Sequence, residues 1–102
     1  MKGTQEIINE IISVASKDDA ITEVYIFGSH ARGQATIFSD VDIAVIHSEN
    51  CEVNRAALND VVSRCDEDVQ FTYVQTDVFY SDEHPLHVSS SIKREGVLLW
   101  QR

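Results

Sequence analysis

Hydrophobic and polar positions follow two different rhythms along the chain. Residues 4–17 carry Ile7, Ile8, Ile11, Ile12, Val14 and Ala15, with Glu6, Asn9, Glu10 and Ser13 between them. That spacing predicts a helix with one apolar face, ended by Lys17-Asp18-Asp19. Residues 22–27 are few and rich in β-branched and aromatic side chains, which predicts a strand. Gly28 stops it. A short helix is expected from Ser29 to about Arg32, loosened by Gly33, and residues 34–39 form a return loop in which Ser39 bonds locally. A second strand spans residues 41–47, and His47-Ser48-Glu49-Asn50 is a polar break. Residues 51–64 read as a helix with Val53, Ala57, Leu58, Val61, Val62 and Cys65 on its buried side. Val69, Phe71 and Tyr73 alternate with Gln70 and Thr72, marking a third strand. Residues 75–84 read as an irregular, acidic connection. Pro85 suits the first turn of a last helix. That helix carries Leu86, Val88 (or Ser89) and Ile92 on a modest apolar face, has Lys93 and Arg94 in its final turn, and stops at Gly96. Val97 to Trp100 is a short strand or a docking tail.

Connection lengths constrain the topology. A strand, a helix and a strand of this size favour a parallel crossover between the second and third strands. The first two strands run antiparallel if the end of one and the start of the other serve a common ligand. The expected fold is α/β (α+β), a small mixed β-sheet flanked by helices. With 102 residues the chain is expected to be one domain, 1–102, with a real but small core.

Candidate chemistry concentrates between the first two strands. Gly28 lets the backbone turn sharply or approach a ligand closely. Ser29 offers a hydroxyl and a backbone N–H at a helix start, where an anion such as phosphate is favoured. Arg32 follows within one turn and can pair with phosphate oxygens. Asp40 and Asp42 stand at i and i+2 at the start of a strand, so both carboxylates leave on one face. Two such carboxylates repel unless a cation lies between them. Hard oxygen donors without Cys or His suit Mg²⁺, which shares its shell with substrate phosphates. Taken singly, a Gly-Ser pair is ordinarily a turn and an Asp-x-Asp pair a solvated start of a strand. In this order between two strands they point to phosphoryl or nucleotidyl transfer.

Gly28-Ser29, ten residues, then Asp40-Val41-Asp42 resembles the signature of the polymerase-β-like nucleotidyltransferase superfamily. The stretch GSHARGQATIFSDVDIAV is similar to the minimal nucleotidyltransferases (MNT), many of which are antitoxins of HEPN-domain toxins. The resemblance implies the nucleotidyltransferase fold, with Gly28, Ser29 and Arg32 on the triphosphate of ATP and Asp40 and Asp42 as catalytic ligands of Mg²⁺. It further implies transfer of AMP to a hydroxyl, a tyrosine of a partner HEPN toxin, within a hetero-oligomer. One position departs from the pattern. Where active members carry a third carboxylate, this chain places Gln70, which cannot carry the charge that supports a second metal or deprotonates an acceptor. Asp68, two residues earlier on the same face, is the alternative; Asp66 and Glu67 read as solvated helix-end residues. A competing reading is therefore a weak or inactive binding module that neutralises or scaffolds a partner by contact. A third, modification of a small molecule such as an aminoglycoside, would want a second domain.

Charge and cysteines narrow the setting. A net charge of −9 argues against nucleic acid as the main partner and permits a basic protein partner, although it also serves solubility. No apolar run approaches a membrane span and no signal peptide is evident, so a cytoplasmic protein is expected. Cys51 and Cys65 flank one helical stretch, roughly 21 Å apart along it, beyond disulfide reach, and read as reduced thiols. His84 and His87 lack further metal-ligand partners, and His30 reads as a solvated position in the turn.

Overall fold

A computed structural model describes residues 4–28, 31, 33, 40–48, 52–64, 68–80 and 88–102. Its elements are α1 (Thr4–Ser16), β1 (Ile21–Phe27), β2 (Val41–His47), α2 (Arg55–Ser63), β3 (Val69–Gln75), α3 (Thr76–Phe79), α4 (Val88–Glu95) and β4 (Val97–Gln101). The strands form one sheet in the order β3-β2-β1-β4. β1 pairs antiparallel with β2 and with β4, whereas β2 and β3 run parallel. This is the expected mixed sheet, with the parallel β2–β3 crossover that the connection length favours. Among the described residues no helix is long and apolar enough to cross a membrane.

The sheet is covered on both faces, and strand alternation decides which residue serves which layer. Val24 and Ile26 of β1, Val41, Ile43 and Val45 of β2 and Val69 of β3 face α1 and α2, whose Ile7, Ile11, Leu58 and Val61 complete that core. Ala44 and Ile46 of β2 and Val74 of β3 point the other way, against Phe79 of α3 and Ile92 of α4. β2 is consequently apolar at nearly every position, as a strand buried on both faces must be. Its one partly buried acid, Asp42, lies at the end where the second layer stops.

Side chains and glycine close the ends of the elements. Asp18 ties two connections together: Oδ1 accepts from Ala20 N at 3.0 Å and Oδ2 from Asn54 N at 2.8 Å. The Asn54 side chain in turn accepts from Ala57 N at 3.2 Å, making it the N-cap of α2. The Arg102 guanidinium donates to the Asp18 carbonyl at 2.7 Å and the Ile21 carbonyl at 3.1 Å. It thereby fastens β4 to the turn between α1 and β1. Gly96 N donates to Ile92 O at 2.7 Å, and a Cβ on Gly96 would collide with that same carbonyl.

Three expectations need correction. The region read as an irregular connection contains a helical turn, α3, immediately after β3. Phe79 is fully buried, and that burial draws the turn onto the sheet. The second helix starts at Arg55, four residues later than its apolar pattern suggests, because Asn54 caps it. The third strand continues two residues beyond Tyr73, with Val74 buried on the opposite face. Of the two open readings of residues 97–100, the strand is the one formed. Cys51, Cys65, His30, His84, His87, Ser39, Asp66 and Glu67 lie outside the described residues.

Candidate functional site

The site begins where β1 ends. Phe27, its last residue, stands opposite the second residue of β2, Asp42. Gly28 follows with φ +74°, a left-handed conformation that side chains resist. A Cβ built on Gly28 would run into the Asp42 carboxylate. The turn after β1 is therefore a backbone surface laid directly against a carboxylate. Asp40, exposed, precedes β2 by one residue and Asp42 by two.

β3 supplies the other wall. Its parallel register sets Val41 beside Val69 and Asp42 beside Gln70. The ladder is pinned by Val41 N donating to Asp68 O at 2.8 Å. Residues in register on neighbouring strands share a face, so Gln70 lies next to Asp42, as the sequence position implies. Asp68 and Gln70 are both exposed. Among the described residues, no three of His, Cys, Asp and Glu converge as a metal-binding group. The structure thus brings together Gly28, Asp42 and Gln70, with Asp40 and Asp68 at the mouth. Ser29 and Arg32 lie outside the described residues. Phe27 is the lining residue that no motif singles out. It sits partly buried on the Asp42 face, and the only sequence signal for it is its alternation with Tyr25.

A second polar cluster occupies the far end of the same face, roughly 13 Å along β1. The Tyr80 hydroxyl donates to Glu23 Oε1, while Glu23 Oε2 is buried without a hydrogen-bond partner among the described residues. That hydrogen bond, assisted by burial, pushes the Tyr80 pKa up to about 12. Burial, and then the negative charge of Glu23, also raise Tyr25. Lys93 Nζ lies over the rings of Phe79 at 5.1 Å and Tyr80 at 5.6 Å. These contacts join α3 and α4 to β1.

Known proteins share the fold that carries this site. The model of the Polymerase beta, Nucleotidyltransferase family matches residues 9–102. The chain belongs to this family. A crystallised Sulfolobus solfataricus protein assigned as a nucleotidyltransferase is 30% identical, with a TM-score of 0.57 over 94% of this chain and 78% of its own. A chain of a toxin–antitoxin complex with AMP-PNP has a TM-score of 0.66 at 23% identity, covering 93% of this chain and 73% of that one. A chain of the complex between tri-AMPylated Shewanella oneidensis HEPN toxin and MNT antitoxin has a TM-score of 0.60 at 22% identity, covering 96% and 72%. The last two likenesses establish the fold that this chain shares with them. No curated protein matches the sequence.

Proposed function

We propose that this nucleotidyltransferase binds ATP with Mg²⁺ and transfers AMP to a tyrosine hydroxyl of a partner HEPN-type toxin, acting as its antitoxin. The observation that carries the reading is the contact between the Gly28 turn and Asp42. Only a residue without a Cβ lets the turn lie this close to the carboxylate, so a ligand held there would meet bare backbone beside an acid. The donor set fits a hard cation, since two carboxylates and a carboxamide offer only oxygen ligands without sulfur or imidazole. When bound, Mg²⁺ would offset the negative charge that builds on the phosphates during transfer.

The chain's own residues divide the remaining work. Asp40 and Asp42 hold the metal. Gly28 lets the backbone approach the triphosphate, which Ser29 and Arg32 are proposed to bind. The acceptor oxygen forms a bond to the α-phosphorus as the bond from that phosphorus to the bridging oxygen breaks. Pyrophosphate leaves with the electron pair and the acceptor proton is released. Two structural neighbours support the choice of nucleotide and partner: one toxin–antitoxin complex holds AMP-PNP, and another contains an AMPylated HEPN toxin. The charge of −9 supports a basic partner drawn in by electrostatic steering.

Calorimetric titration of MgATP into the wild type, Gly28→Ala and Asp42→Asn tests the reading. Binding is expected in the wild type and its loss in both variants. A wild type that takes up no MgATP would sink it. The register of Gln70 beside Asp42 favours a second reading, a transferase fold that restrains its partner by contact alone. In that case an Asp40→Asn, Asp42→Asn double variant would neutralise the partner as well as the wild type does.

A further inference from the structure

Gln70 is the one neighbour of Asp42 across the β2–β3 ladder whose chemistry does not match an acidic cation site. Neighbouring strands lie about 4.8 Å apart, and the pair is in register, so both side chains rise from the same patch of one face. A carboxamide of that length can offer Oε1 to a cation held by Asp42, but it brings no charge and takes up no proton. Asp68 does not substitute for it. It stands two positions back, exposed, with its carbonyl accepting from Val41 N, and no third acid converges on Asp40 and Asp42 among the described residues.

We infer that Gln70 acts as a neutral neighbour that holds this site to a single divalent cation, and that a carboxylate at position 70 would admit a second. The inference rests on the transferase reading above. It also narrows the acceptor. With no third carboxylate converging on Asp40 and Asp42 among the described residues to take the proton, a base in solution removes it before attack. The resulting oxyanion then bonds to the α-phosphorus as pyrophosphate departs. A phenol, with a pKa of about 10, meets that demand far more readily than an alkyl alcohol.

Native mass spectrometry of the full chain with AMP-PNP and Mn²⁺ tests the cation count directly, using wild type, Gln70→Glu and Asp42→Asn. Gln70 is exposed and Glu is nearly isosteric with it, so the variant should fold; coincident thermal melts check this. The expected nucleotide complex gains the mass of one Mn²⁺ in the wild type and of two in Gln70→Glu. A two-ion complex in the wild type, or a one-ion complex in Gln70→Glu, overturns the inference and leaves the transferase reading standing. A wild type with no more nucleotide adduct than Asp42→Asn removes the transferase reading and the inference with it.

Discussion

The tyrosine hydroxyls on the α3–α4 face bind their protons more tightly in the folded chain than in the unfolded one. Tyr80 is the strongest case, pushed up to about 12 chiefly by its hydrogen bond to Glu23. An unfolded tyrosine titrates near 10. The stabilisation is therefore complete below pH ~10 and is lost as pH rises through about 12. Thermal midpoints measured across that window should fall, and Tyr80→Phe should reduce the fall because it deletes the group that ionises. Little of this cluster is legible in sequence. Alternation places Glu23 and Tyr25 on one face, but the docking of α3 decides that Tyr80 meets Glu23. By contrast, Gly28, Asp42 and Gln70 are legible, because strand ends and register bring them together without help from distant side chains.

Among the elements, the start of α2 shows what periodicity misses. Val53 extends the apolar pattern, yet the helix begins only after Asn54, whose side chain caps it and whose N–H is already given to Asp18. Asn54→Ala should cost about 1 kcal/mol, read as a lower urea midpoint with an unchanged slope. α3 escapes detection for a different reason. Four residues are too few to display a helical period, and an isolated turn of that length has no stability of its own. Burial of Phe79 supplies it. The long elements α1 and β2 announce themselves because an amphipathic stripe and a continuous apolar run are each repeated enough times to be read.

At the scale of the whole molecule, the parallel β2–β3 crossover follows from connection length, and the antiparallel β1–β2 pair from a ligand shared by the end of β1 and the start of β2. The place of β4 does not, since an apolar pentapeptide could dock in several ways. The sheet order that results, β3-β2-β1-β4, has a consequence in time. The three strands that carry Gly28, Asp42 and Gln70 are consecutive in sequence, so their loops close at modest entropic cost. β4 must return across nearly the whole chain to reach β1, a contact of the kind that comes late in folding. Trp100, paired with Val24 and packed on the α1 side of the sheet, reports on that step. In stopped-flow measurements Trp100→Ala should leave the folding rate nearly unchanged and speed unfolding about tenfold for each ~1.4 kcal/mol lost. On this order the frame of the proposed nucleotide site is assembled first, and the last strand locks a structure whose parts already stand in place.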